Sequence, residues 1–391
     1  MILIFQSILY TLLGLLRKKS FKIFFFFLLL ALPYSNAFQK YFYFLGVYVF
    51  LFFVFSDAFS TLSLKRISRN SLSLYILLFL AAILYAILTP PFKLNVYLKD
   101  IFFVFLLLLL RSWKDNFFLQ SFNKKSLRKI VIVTVYINFC YALFLYVNPN
   151  FLTLIFDDPF YSSQFRLTTL FVYLIPFIVY NLKNLNLKKR HIFLLYAIAL
   201  IAGSRINIML ISLFHLFALE KRERLFFLFF LGILFLIATI NVTNFRAIEQ
   251  LKGSIILNDL LVRYGPFFDI LEKFDFYDYI FGKGPGFGIY IPWFEYRGLD
   301  PYNAYLDSQY LTFYLKYGVL MFPIIIFILH EVKLYVQHKE QFRAFLLWFL
   351  IIGLTNAITY LYVFLFAIIF CKLNGHSTSN VNHNETSKNL Q

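Results

Sequence analysis

The stretch QYLTFYLKYGVLMFPIIIFIL, residues 309–329, carries a single charge, Lys316, and decides how the rest of the chain is read. A helix rises 1.5 Å per residue, so a run of this length crosses the ~30 Å hydrocarbon core of a bilayer. Working outward, comparable apolar segments recur near 1–16, 23–36, 41–57, 72–89, 97–110, 130–147, 167–182, 191–204, 206–219, 225–242 and 344–371. The last is long enough for one tilted helix or for a hairpin broken at Gly353-Leu354-Thr355-Asn356. Composition points the same way. The chain is 61% hydrophobic and 14% charged, with a mean hydropathy of +0.74, whereas soluble domains are about 45–50% apolar. A soluble fold with this balance lacks the polar surface to cover itself. The expectation is an all-α, polytopic transmembrane helix bundle of about 11–13 spans with membrane lipid as its solvent.

Net charge is +18, but the placement of the charges is more informative than their sum. Arg17, Lys18, Lys19 and Lys22 share one connecting loop; Lys65, Arg66 and Arg69 share another. The pattern repeats with Arg111, Lys114, Lys124, Lys125, Arg128 and Lys129, then with Lys183, Lys188, Lys189 and Arg190. It closes with Lys221, Arg222 and Arg224, then Lys333, Lys339 and Arg343. Basic residues resist translocation, so these alternating loops belong on the cytoplasmic side. Loops near 37–40, 90–96 and 148–166, the turn Gly203-Ser204-Arg205 and the long segment 243–308 then face outward. This division reads as a bundle over 1–242, one large outer loop over 243–308, C-terminal spans over 309–371 and a disordered polar tail over 372–391. Basic charge distributed in this way predicts no nucleic-acid partner. Cys140 and Cys371 each lie in or beside an apolar run, which argues against a disulfide framework.

Nine of the 19 acidic residues fall in 243–308, together with Arg246, Arg263, Arg297 and many aromatics. Aromatic faces plus carboxylates suit sugar rings, and they equally suit the headgroup belt of a membrane protein. Within this loop, Phe281-Gly282-Lys283-Gly284-Pro285-Gly286-Phe287-Gly288 allows positive φ and close backbone approach to a ligand, with Gly284 and Gly286 at its centre. Arg205, in a short turn between two helices, and Arg246 and Arg263 offer guanidinium forks suited to phosphate or carboxylate. The six histidines are scattered without metal-ligand spacing, and neither a P-loop nor a Gly-x-Ser-x-Gly motif occurs. No metal and no cofactor are expected.

Gly284-Pro285-Gly286, followed by Asp307-Ser308-Gln309-Tyr310-Leu311 and then Gly318, resembles the pattern of the bacterial O-antigen polymerases (Wzy-type), relatives of the O-antigen ligases. That family often shows Gly-x-Gly, then His-Asn or Asp-Asn, one residue, Tyr-Leu, and a Gly seven residues later. Here Asp307 takes the acidic place, and Ser308 stands where Asn is usual. A second register, Tyr302-Asn303-Ala304-Tyr305-Leu306, keeps the Asn but lacks the trailing Gly. Gly203-Ser204-Arg205 is similar to the family's Ser-Arg turn. The resemblance implies a multi-pass inner-membrane glycosyltransferase joining undecaprenyl-pyrophosphate-linked oligosaccharide repeats on the periplasmic face. A chain-length regulator and a flippase would act in the same pathway. It also implies Asp307 as the base, with Arg205, Arg246, Arg263, Gly284, Gly286, Asn303 and Tyr310 contacting the lipid-linked substrate. An O-antigen ligase, and a polysaccharide flippase or transporter, are the competing expectations.

Overall fold

Residues 309–329 fold as a broken helix. In the computed structural model, α7 (Gln309–Tyr317) ends at Gly318, a 3-10 turn spans Gly318–Leu320, and α8 (Met321–Val336) continues from it. The described residues are 84, 93–94, 96–97, 99–100, 124–148, 171–202, 205–220, 223–224, 263–292, 301–360 and 363–388. Helices account for 79% of the interpretable residues, so the α class expected from the sequence is what the chain adopts. The expected spans near 1–16, 23–36, 41–57, 72–89 and 225–242 lie outside the described residues apart from residue 84, as do most of 97–110 and all of Arg246.

The chain divides into two compact units. The first comprises Met1–Thr61, Asn116–Glu249 and Phe370–Gln391. Its described helices are α1 (Lys124–Val147), α2 (Phe171–Tyr180), α3 (Leu182–Leu185), α4 (Lys189–Ile201) and α5 (Arg205–Ala218). Polar side chains in α1 are absorbed by the helix itself. Thr134 Oγ1 donates to the Ile130 carbonyl at 2.9 Å, and Asn138 Nδ2 to Thr134 O at 2.9 Å. Helix α2 is buried at Phe171, Val172 and Leu174–Val179, packs on α5, and tolerates Pro176 inside it. Between α4 and α5, the Tyr196 hydroxyl meets His215 Nδ1 at 3.0 Å.

The second unit comprises Leu62–Asp115 and Gln250–Ile369. The segment 243–308, expected as one polar loop, is structured where it is described. It is helical over 263–271 and again at α6 (Phe276–Phe281), then forms a short antiparallel pair, β1 (Ile289–Tyr290) with β2 (Tyr302–Asn303). Apolar residues supply the reason: Phe267, Ile289, Ile291, Leu306 and Leu315 form a buried cluster, with Phe274 stacked on Tyr314 around it. Helix α9 (Lys339–Ile352) stops at Gly353, a 3-10 turn spans Ile358–Tyr360, and α10 (Val363–Lys388) follows. The 344–371 stretch is therefore broken at the glycine rather than continuous. Helix α10 extends through Lys388, over most of the segment 372–391 read from the sequence as a polar tail.

Two glycines let the ends of α6 and α7 cross. Gly282 has φ +70°, and a Cβ there would overlap the backbone of Lys316 and Tyr317. Gly318 has φ +54°, and its Cβ would meet the Tyr279 and Ile280 backbone. Left-handed backbone costs a non-glycine residue on the order of 1–3 kcal/mol before any overlap is counted. Gly282→Ala and Gly318→Ala are expected to lose at least that much stability. Gly265→Ala, which meets nothing within 4 Å, should be neutral or gain up to about 1 kcal/mol. Thermal unfolding of the three purified variants reads the contrast.

Candidate functional site

The second unit holds two polar centres, one buried and one open. The buried centre is built on Asp100, which lies near the start of the apolar segment 97–110 and is fully enclosed. Lys316 Nζ, equally enclosed, donates to both carboxylate oxygens at 2.5 and 2.6 Å. The Tyr360 hydroxyl donates to Oδ1 at 2.8 Å, and the Gly286 amide donates to Oδ2 at 2.7 Å. A charge withdrawn from water is tolerated only when paired and hydrogen-bonded, and this carboxylate accepts four hydrogen bonds from three donor groups. Lys316 stands out in its apolar run. Asp100 has a partner 216 residues away, so no local pattern announces it. The available signal was a lone acid inside an apolar segment, matched by a lone lysine in another.

The glycine-rich loop Phe281–Gly288 is docked onto this centre. Lys283 N–H donates to Leu315 O at 2.8 Å and Gly284 N–H to Lys316 O at 3.0 Å. Gly284 and Gly286 take positive φ of +83° and +89°, as the glycine density suggested. Their amides, however, are occupied by Lys316 O and Asp100. The loop approaches another part of its own chain.

The open centre lies at the start of α7. Asp307 is half-exposed, and its Oδ2 lies 3.7 Å from Arg263 Nη1. Ser308 caps α7, its Oγ accepting from Leu311 N–H at 3.4 Å. Gln309 is buried, and its Oε1 accepts from Thr359 N–H at 2.9 Å and Thr359 Oγ1 at 2.7 Å. The first turn of α7 also supplies donors to carbonyls at the end of α9. Gln309 N–H donates to Gly353 O at 2.8 Å, and the Tyr310 hydroxyl reaches Phe349 O at 3.3 Å and Leu350 O at 3.1 Å. Tyr264, next to Arg263, donates to Leu354 O at 3.0 Å. Burial pushes the Tyr264 phenol above its ordinary value; Asp307 adds to that while Arg263 opposes it, so it remains a donor at neutral pH.

Two residues singled out by sequence, Asp307 and Arg263, are thus brought together. Tyr310 is committed to the end of α9. Asn303 folds onto its own backbone, Nδ2 donating to Tyr305 O at 3.0 Å and Oδ1 accepting from Ala304 N–H at 2.9 Å. Arg205 opens α5 in the first unit, where only its backbone is described, and Arg246 lies outside the described residues.

These features define a helical protein in which, among the described residues, two helices are long and apolar enough to cross a membrane, Lys125–Phe144 and Gln309–Val336. The chain belongs to a family of unknown function, DUF6369, matched over residues 111–383, a span that includes Arg263, Asp307, Lys316 and Tyr360 but not Asp100. No curated protein and no solved structure matches it.

Removing either member of the buried pair strands the other. Asp100→Asn and Lys316→Met should each lose about 3–5 kcal/mol, whereas the Asp100→Leu/Lys316→Met double variant should recover most of it. Unfolding of the purified variants in detergent gives the coupling. A double variant whose loss equals the sum of the singles would mean that the two charges do not depend on each other.

Proposed function

We propose that the protein is a polytopic inner-membrane glycosyltransferase that polymerises lipid-linked oligosaccharide repeats at the outer face. The observation that carries this reading is the Asp307–Arg263 pair, half-open at the first turn of the membrane-length helix Gln309–Val336. An acid at that position is available to a substrate arriving along the membrane surface. Asp307 takes the proton of the acceptor hydroxyl, whose oxygen forms the new bond to the anomeric carbon. The bond from that carbon to the carrier pyrophosphate breaks, its electron pair leaves with the pyrophosphate, and the proton passes from Asp307 to water. Arg263 supplies positive charge where the leaving group gains negative charge. The buried pair supports the same topology: in the alternating pattern Asp100 and Lys316 both lie near the outer ends of their segments, and the two are in contact.

The same buried pair favours a second reading. Ionisable residues inside apolar segments are common in transporters, so a saccharide flippase competes. Against it, the two charges neutralise each other, and the Tyr360 hydroxyl and the Gly286 amide close off the carboxylate.

The test is a lipopolysaccharide gel of a strain deleted for this gene and complemented with wild type, Asp307→Asn or Arg263→Ala, with membrane levels checked by immunoblot. Loss of the gene should collapse the ladder to core plus one repeat. Asp307→Asn should fail to restore it, corresponding to a rate loss of about 10²–10⁴. Complete loss of O-chain on deletion would favour the flippase. A full ladder with Asp307→Asn would remove that residue as the base.

A further inference from the structure

Helix α6 is inverted relative to a helix that faces water. Its single charged residue, Asp278, is 7% exposed, while Phe276 and Tyr277 are 73% and 70% exposed and Tyr279 and Phe281 are also open. The acid is fully employed inside: Oδ2 accepts from Asp275 N–H at 3.0 Å and pairs with Lys283, while Asp275 returns a capping bond to Asp278 N–H at 2.8 Å. Glu272, Lys273 and Asp275, immediately before the helix, are exposed, so the surface changes from charged to aromatic within two residues. Four aromatic side chains left in water would forfeit burial that each could gain elsewhere.

The position of α6 along the membrane-length helix indicates what covers this face. Gly318 lies against the backbone of Tyr279 and Ile280. Before Gly318, α7 is buried or half-buried; from Val319 onward, Val319, Leu320, Phe322 and Ile326 are exposed. A bare apolar helix face of this kind is suited to lipid, and it begins level with α6. Helix α6 packs on the turn Gly318–Leu320, where that face begins.

We propose that α6 lies in the interfacial layer of the bilayer, with Phe276, Tyr277, Tyr279 and Phe281 among the headgroups and first methylenes. Tyr and Phe suit that layer because each presents an apolar ring, and Tyr adds a hydroxyl that can stay hydrated. This rests on 309–336 being transmembrane. It sets the depth of the site: the Asp100–Lys316 pair lies at the headgroup boundary, and Gln309 at the start of α7, seven residues before Lys316, stands about 10 Å further out along the helix axis, with Asp307 just before it in the chain.

The test uses nitroxide labels at single cysteines introduced by Glu272→Cys, Tyr277→Cys or Ile326→Cys. The background is Cys140→Ser, since Cys371 is fully buried. The full chain is reconstituted in phosphatidylethanolamine and phosphatidylglycerol vesicles. Collision with dissolved oxygen, against collision with a nickel chelate, reports depth. Position 277 should show an oxygen preference several-fold above position 272 and below position 326. If 326 is lipid-exposed while 277 matches 272, the aromatic face is aqueous and the proposal fails while the transmembrane reading stands. If 277 is reached by neither quencher, protein covers it, a second copy included, and the proposal fails. If 326 itself reads as aqueous, both fail.

Discussion

The second unit is organised around one carboxylate. Asp100 accepts from Lys316 on α7, from Tyr360 on the turn before α10 and from Gly286 in the glycine-rich loop, joining three parts of the chain that sequence keeps far apart. Lys316 serves twice, since its carbonyl also accepts from Gly284. The loop is therefore held by the Lys316 carbonyl through Gly284 and by Asp100 through Gly286, and α7 is fixed at its C-terminal end. Along a helix as short as α7, fixing one end fixes the other, which carries Ser308 and, just before it, Asp307.

The other end of α7 is fixed by a different arrangement. The N-terminus of α7 meets the C-terminus of α9, so the partial positive charge of one helix end lies beside the partial negative charge of the other, and the Gln309 amide donates to Gly353 O. Gln309, Tyr310 and Tyr264 complete the junction. Asp307 and Arg263 are what remains at its edge, exposed because the residues around them are already engaged. In the proposed chemistry this matters, since a base that must meet a large substrate has to be rigidly mounted and open on one side.

How much of this was legible depended on the range of the interaction. The helical class followed from the long apolar runs, and the interruption at Gly353 was one of two alternatives the sequence allowed. Positive φ at Gly284 and Gly286 was legible as well, because glycine density is a local signal. Their target was not: a glycine that admits close approach does not say whether a ligand or a neighbouring helix approaches. Asp307 and Arg263 could be named singly from residue type and position, but their proximity depends on how 263–271 packs against Tyr314, which no spacing rule encodes. Asp100 was missed because a lone acid among apolar residues acquires meaning only with its distant lysine. The helical content of 243–308 was obscured by its charge, and Phe267, Phe274 and Ile289 form one cluster only through contacts that no local spacing announces.

The separation of Asp100 from Lys316 has a consequence for biosynthesis. At roughly 5–20 residues per second, the 216 residues between them take about 10–40 s to emerge from a ribosome. Throughout that interval the early segment carries an acid whose partner does not yet exist. Until Lys316 arrives, enclosing the Asp100 carboxylate would bury an unpaired charge, so this part of the second unit cannot close around it. The late arrival of α7 then delivers the cation that draws it in. Final closure of this unit is thereby tied to completion of the chain, and a truncated product ending before Lys316 would be left with an unneutralised acid that quality-control proteases can recognise.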